Sequence, residues 1–140
     1  MATNGFTGQG VTLEVSTDGG SVYNAVAEVL DINGPDGAPA VVDFTHLGST
    51  YREKKAGILD EGQVTLTCNL YPGDTTGQEV VRASRAAGTE LDYKITLADG
   101  STTEITFKGL VLQFGPAVGG VDDPSTVGIT IEVTNAATWT

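Results

Sequence analysis

The chain has 140 residues, of which 39% are apolar, and its one cysteine, Cys68, excludes an intrachain disulfide. This length predicts a single domain over residues 1–140 with one hydrophobic core, and Cys68 is expected to be a small buried side chain in it. Eighteen acidic residues against seven basic ones give a net charge of −11, which argues against a general affinity for nucleic-acid phosphates. No segment has the pattern of a signal peptide or approaches the ~20 apolar residues of a membrane span, so we expect a soluble protein.

The first half of the chain alternates apolar and polar side chains, a pattern typical of strands. A first strand is predicted around Val11, Leu13 and Val15, before a turn at residues 17–20. A second run, residues 24–32, is less regular, and we expect it to be covered on both sides. A turn at residues 33–37 closes it, and residues 40–47 lead into a long loop.

After that loop, Val64, Leu66, Cys68 and Leu70 alternate with polar residues and predict another strand. The period then changes, and residues 76–87 are predicted to form the one helix, with Val80, Val81, Ser84 and Ala87 on one side and Gln78 elsewhere. Asp74, Thr75 or Thr76 can cap its amides, and Gly88 is a stop signal.

Three further strands complete the pattern. Residues 91–97 and 103–114 flank a hairpin turn, and a change of phase at Gly109 predicts a β-bulge with Leu110 and Leu112 facing inward. The last strand carries Val127, Ile129, Ile131 and Val133 on one face. The predicted fold is therefore mainly β, an antiparallel β-sandwich or barrel with one packed α-helix.

The sequence contains no convincing catalytic or metal-binding motif. Residues 31–37 resemble a calcium loop, but Pro35 occupies a ligand position and Val42 stands where a bidentate glutamate is needed. Asp122 and Asp123 form an acidic pair that we interpret as solvated. His46 is the only histidine, which removes histidine-based metal clusters. We predict no catalytic, cofactor-binding or metal-binding residues and no enzymatic activity.

The loop that precedes the strand at residue 64 is the most informative segment. Residues 45–59 hold Arg52, Lys54 and Lys55 against Glu53, a net charge of +2, which leaves −13 on the remainder. Fixing about fifteen loop residues at roughly 1–2 kcal/mol each costs about 15–30 kcal/mol in total. Burial of the four large apolar side chains of the loop, at ~1.5–3 kcal/mol each, returns at most about 12 kcal/mol. The loop is therefore either mobile in the monomer or ordered against another chain.

Several ordered runs resemble a known family. These are DFTHLGST at residues 43–50, GILDEG at 57–62, VTLT at 64–67, LDYKITL at 91–97 and IEVTN at 131–135, together with Asp74, Gly77-Gln78, Asp99-Gly100 and the strand over residues 109–115. In this order they are similar to the tail tube (major tail) proteins of long-tailed, non-contractile-tail bacteriophages. The resemblance covers nearly the whole chain.

This resemblance implies a structural virion protein of the phage tail, assembled in the bacterial host cytoplasm. Its subunits are expected to form stacked, hexameric rings, and DNA is expected to pass through the lumen without specific binding. The implied partners are the tail tip or initiator, the tail terminator and a tape measure protein in the lumen, with no membrane. An interaction loop at about residues 45–61 is expected to contact neighbouring subunits through His46, Leu47, Tyr51, Arg52, Lys54, Lys55, Ile58 and Leu59.

The sequence does not determine which surface faces the lumen. Glu14, Glu104 and Glu132 lie in rows of threonine and glutamate that are candidates for it, and a plain outer surface is the alternative. Two other functions also remain open: a virion or cell-surface β-sandwich that attaches to a host or carbohydrate, and the inner tube subunit of a secretion system.

Overall fold

The computed structural model describes residues 5–140, which contain ten strands and one helix. The helix α1 spans Gln78–Ala87. The strands are β1 (Thr12–Ser16), β2 (Asn24–Ala25), β3 (Val29–Asn33), β4 (Val41–Asp43), β5 (Lys54–Ala56), β6 (Gln63–Asn69), β7 (Leu91–Thr96), β8 (Glu104–Ala117), β9 (Thr126–Val133) and β10 (Thr138–Trp139).

Eight of these strands form one antiparallel sheet in the order β2-β1-β7-β8-β9-β6-β3, with β10 paired to β8. The long strand β8 pairs with β7 through residues 104–109 and with β9 through residues 109–117. Strands β2 and β3 lie at opposite ends of this order, yet only residues 26–28 separate them in sequence. Because four peptide steps span at most ~14 Å, the sheet must curl until its two ends meet. The predicted sandwich or barrel is confirmed.

The core lies inside the curled sheet. The residues that the alternation predicted to face inward in β1, β6, β7 and β9 are buried there. Leu13 and Val15 of β1, together with the inward residues of β6, β7 and β9, are buried. Tyr93 stacks on Phe107 with ring centroids 5.4 Å apart. Cys68 is fully buried, as predicted, and burial raises the pKa of its thiol to about 11. The remaining buried apolar residues of β6, β7 and β9 are Val64, Leu66, Leu91, Ile95, Val127, Ile129, Ile131 and Val133.

The helix packs against β8 and begins two residues later than predicted. Val81 and Ser84 are buried, whereas Ala87 is exposed. The helix ends at Gly88, which adopts the left-handed conformation and donates its N–H to the Ser84 carbonyl, so the predicted stop is confirmed.

The region predicted as one strand over residues 24–32 is two short strands, so that prediction is wrong. Glu28 adopts a positive φ of 63° between β2 and β3, which breaks the extended chain. The Glu28 carbonyl instead accepts the Asn69 N–H at 2.9 Å. Leu30 is 55% exposed, and β3 is not covered on both faces.

The β-bulge lies in β8, but not at Gly109. The register shifts between Val111 and Gln113, so that Val111 is buried while Leu112 is exposed. Gly109 is needed for a different reason: a Cβ there would lie 2.5 Å from Cγ2 of Ile131. The glycine therefore reflects close packing against β9, and the inward positions predicted for Leu110 and Leu112 are wrong.

A buried amide and a neighbouring carboxylate join the two ends of the sheet. Gln78 is 1% exposed, although the sequence pattern placed it away from the core face. Its Nε2 donates to the carbonyls of Ala27 (2.8 Å) and Asn69 (2.9 Å), and its Oε1 accepts the Tyr71 N–H (3.0 Å). Oδ2 of Asp74 accepts the N–H groups of Ala27 (2.8 Å) and Gln78 (3.0 Å). We call this arrangement the Gln78–Asp74 clamp.

We expect Gln78→Ala to lower the free energy of unfolding by about 3 kcal/mol or more, because three backbone groups lose their partners and each unpaired buried group costs ~1–3 kcal/mol. Urea denaturation followed by circular dichroism measures this loss. Arg85→Ala on the exposed side of the same helix is the control and should change stability by at most ~0.5 kcal/mol. If the two variants are equally stable, the clamp does not hold the sheet ends together.

Candidate functional site

The segment predicted as an irregular loop is a projecting β-hairpin. Strands β4 and β5 pair only with each other, in the register Val41↔Ala56, Val42↔Lys55 and Asp43↔Lys54. The Phe44 N–H donates to the Glu53 carbonyl at 2.7 Å and extends the ladder. Strand β5 lies inside residues 45–61, so the segment predicted as a long interaction loop contains a short strand. We call residues 41–59 the arm.

Polar contacts organise the tip of the arm. Arg52 forms an ion pair with Asp43 (3.1 Å), and Nε2 of His46 lies 3.2 Å from the Glu53 carboxylate. The Ser49 hydroxyl donates to the same carboxylate at 2.6 Å. Hydrogen bonds from Thr45, with a further one from Arg52, lower the pKa of Asp43 and keep its carboxylate charged. Some of the order that we expected only from another chain is thus supplied by the arm itself.

The arm nevertheless leaves its large apolar side chains in solvent. Leu47 and Ile58 are almost fully exposed, and Tyr51 is 84% exposed. These three were predicted as contact residues, whereas three other exposed apolar residues, which precede residues 45–61, were not. The seven exposed side chains are Val41, Val42, Phe44, Leu47, Tyr51, Ile58 and Leu59. An exposed apolar set of this kind marks an interaction surface.

Two of the predicted basic contact residues keep their charges unpaired. Arg52 and His46 have partners within the arm, but Lys54 and Lys55 form no ion pair within residues 5–140. Nζ of Lys55 lies 5.5 Å from the centroid of the Phe44 ring. The charge that the arm can offer to a partner is therefore carried by these two lysines.

The arm is attached to the sheet at the start of β6. The Gly37 N–H donates to the Glu61 carbonyl (2.8 Å), and the Val133 N–H donates to the Gly62 carbonyl (3.0 Å). A Cβ on Gly37 would lie 1.6 Å from the Asp60 carbonyl oxygen, so only glycine permits this approach. The root of the arm is fixed although its strands are exposed.

The three candidate lumen glutamates are not brought together. Glu14 and Glu104 both approach Nζ of Lys94, at 3.8 and 3.2 Å, on the polar face of β1, β7 and β8. Glu132 pairs in register with Gln63 and Leu110. Six residues of β8 separate Glu104 from Leu110, which is about 20 Å along an extended strand. Two of the acids therefore share a cation, and the third lies apart.

Within residues 5–140, no group of three or more His, Cys, Asp or Glu side chains is arranged to hold a metal ion. Asp31 of the calcium-like sequence belongs to β3, where it pairs with Thr67. Asp122 and Asp123 are exposed in the β8–β9 loop.

In the same part of the chain, no helix has the length and apolar character needed to cross a membrane.

Solved structures with this fold come from tail tubes and related particles. The tail of an empty gene transfer agent particle, refined with C6 symmetry, has a chain with a TM-score of 0.79 and 16% identity, covering 97% of this chain and 99% of that one. A chain of the SPP1 tail tube has a TM-score of 0.75 and 11% identity, and the match covers 96% of this chain and 78% of that one. A chain of the sheath-tube complex of an extracellular contractile injection system has a TM-score of 0.68 and 12% identity, and the match covers 93% of this chain and 87% of that one. These likenesses establish a tail-tube fold.

The family follows from the sequence comparison. The family model described as lambda phage tail tube protein matches residues 7–140, and the chain belongs to that family. It is a structural subunit of a phage tail tube and a component of the virion. Neither the attachment module nor the secretion-system tube is favoured. No curated protein matches the chain significantly.

We expect amides of the arm to exchange rapidly with solvent in the monomer and to become protected in assembled tubes. A two-stranded hairpin is only marginally stable in water, so the arm opens locally without unfolding the core. Hydrogen exchange followed by mass spectrometry measures this difference, with peptides from β9 as the control that is protected in both states. Equal protection of the arm in monomer and tube would contradict an assembly role for it.

Proposed function

We propose that six copies of the chain form a ring, that rings stack to build the tail tube, and that the arm of each subunit contacts a neighbouring subunit. The six-fold symmetry of the gene transfer agent tail supports the ring size. The observation that carries the proposal is the arm itself, a hairpin that pairs with no other strand of the described residues 5–140 and exposes seven large apolar side chains.

The energetics favour burial of the arm in an interface. Complete burial of seven large apolar side chains at ~1.5–3 kcal/mol each contributes about 10–20 kcal/mol. Association costs roughly 4–15 kcal/mol in lost translation and rotation. The arm already pairs as a hairpin in the monomer, so docking costs less backbone entropy than it would for a loop without paired strands, and a stable contact results. The contact residues are those of the sequence prediction, extended by Val41, Val42 and Phe44.

For the lumen, the charge distribution favours the face that carries Glu132. The outward residues of β6 and β9 are Gln63, Thr65, Thr67, Asn69, Thr126, Gly128, Thr130 and Glu132, without a lysine or arginine. A bore without cations makes few contacts with phosphates, so DNA slides through it. Glu14 and Glu104 are the second candidates, since Lys94 offsets part of their charge.

The remaining partners follow from the role of a tube. A tail tip or initiator starts polymerisation, a terminator stops it, and a tape measure protein occupies the lumen before DNA passes. Assembly takes place in the host cytoplasm, and no membrane partner is needed. The role is structural and requires no catalytic residue.

The purified protein should assemble into hollow tubes with six-fold symmetric cross-sections, either at high concentration or after addition of tail tips. Negative-stain electron microscopy with rotational averaging measures the symmetry, and light scattering follows the growth. A protein that remains monomeric under both conditions would overturn the proposal. Rings with a number of subunits other than six would change only the proposed ring size.

Reversing the unpaired charges of the arm should weaken assembly without affecting the fold. We expect Lys54→Glu with Lys55→Glu to leave the Tm of the monomer unchanged, because exposed charges contribute only ~0–1 kcal/mol each. Tube yield should fall strongly, and more at low salt, where repulsion is unscreened. The control is Arg85→Glu with Lys108→Glu, the same change of charge at exposed positions outside the arm. If both double variants polymerise like the parent at low salt, the charge of the arm has no role in assembly.

A further inference from the structure

The loop that joins β8 to β9 exposes apolar side chains that the fold does not require. Val118 is 81% exposed and Val121 is fully exposed. The loop itself is ordered, because the Asp123 N–H donates to the Gly120 carbonyl (3.2 Å) and the Leu70 N–H donates to the Ser125 carbonyl (2.9 Å). The second bond joins this loop to the segment that follows β6, where Tyr71 is half-exposed. We call the three exposed apolar side chains at this end of the sheet, Val118, Val121 and Tyr71, the loop surface.

The register of the sheet places this surface at the end opposite the arm. Gln63, at the root of the arm, pairs with Glu132, whereas Asn69 pairs with Thr126 at the start of β9. Six residue steps of β6 separate the two ends, about 20 Å. The arm and the loop surface therefore lie at opposite ends of the same strands.

The charges of the two surfaces are opposite. Asp122 and Asp123 are exposed beside Val121, and neither forms an ion pair within the described residues 5–140. The arm carries Lys54 and Lys55, which are likewise unpaired there. Each surface thus combines exposed apolar side chains with two charges that lack a partner in the monomer.

We propose that the loop surface is the site on which the arm of a second copy of this chain docks, in the adjoining ring. Apolar side chains of the arm pack against Val118, Val121 and Tyr71, while Lys54 and Lys55 lie against Asp122 and Asp123. A contact between two different surfaces at opposite ends of a subunit repeats without closing, so it extends a stack ring by ring. This inference rests on the proposed function and specifies which surface receives the arm.

The reach of the arm is sufficient for this contact. The seven residue steps from Ala40 to Leu47 extend up to about 24 Å at ~3.4 Å per step. An arm that projects from one ring can therefore cross the boundary and lie along the end of a subunit in the next. Charge complementarity then fixes its register, since like charges in the wrong register repel.

A charge swap tests the pairing. Asp122→Lys with Asp123→Lys should reduce tube yield at low salt by about tenfold, as the arm variant Lys54→Glu with Lys55→Glu should. The variant that carries all four substitutions restores opposite charges and should recover yield to within roughly threefold of the parent. Asp36→Lys with Glu90→Lys, two exposed acids outside the loop surface, is the matched control and should assemble like the parent.

Disulfide trapping provides a second measurement that does not depend on charge. In assembled tubes, Leu47→Cys with Val121→Cys should oxidise to a ladder of covalently linked subunits, while either substitution alone should give none. Cys68 does not interfere, because it is buried and its pKa is raised to about 11.

The outcomes separate this inference from the proposed function. Parent protein that forms no tubes overturns both. If the arm variant loses assembly while the loop variant keeps it, or if the four-residue variant is not rescued and no ladder forms, the arm docks on another surface and this inference alone is overturned. Rescue together with a ladder establishes the contact.

Discussion

Five hydrogen bonds at the Gln78–Asp74 clamp join the β2–β3 connection to the end of β6 and to the start of the helix. The two ends of the sheet meet at residues 26–28, where Glu28 has a positive φ and the chain cannot continue as a strand. Without the clamp, part-buried backbone groups there and at the end of β6 would lack these partners, and each unpaired buried group costs about 1–3 kcal/mol. One amide and one carboxylate supply those partners. The start of the helix, the β2–β3 connection and the end of β6 are thereby fixed together.

The closed sheet completes the hydrophobic core without the arm. Every inward position of β6, β7 and β9 is filled by an apolar side chain of the sheet. The apolar residues of the arm contribute nothing to that core and remain in solvent. Folding therefore does not require the apolar residues of the arm, and substitutions there can leave the core intact. The two ends of strands β6 and β9 also differ in charge. The arm, with Lys54 and Lys55, is attached at one end, and Asp122 and Asp123 lie at the other, so each subunit has a direction along its strands.

Much of the fold could be predicted from the sequence because its signals are local. Strands β1, β6, β7 and β9 each alternate with a period of two, and each alternation by itself identifies the buried face. The helix was recognisable from its changed period and from Gly88. The basic arm was recognisable as a surface because Lys54 and Lys55 interrupt the apolar pattern. The sequence by itself determined the buried faces of these four strands, the presence of the helix and the family.

Tertiary structure decided the features that depend on distant residues. Gln78 is polar and lies between helical apolar positions, and its burial follows from contacts with Ala27, 51 residues away. Val41, Val42 and Phe44 are apolar residues like those of the core, and the sheet order and their exposure show that the described residues 5–140 do not cover them. The bulge lies between Val111 and Gln113, where the pairing of β8 with β9 shifts, and Gly109 instead reflects close packing against Ile131. The separation of Glu14 and Glu104 from Glu132 follows from the length of β8. Periodicity assigns a side chain to a face, but only strand order and register determine what that face meets.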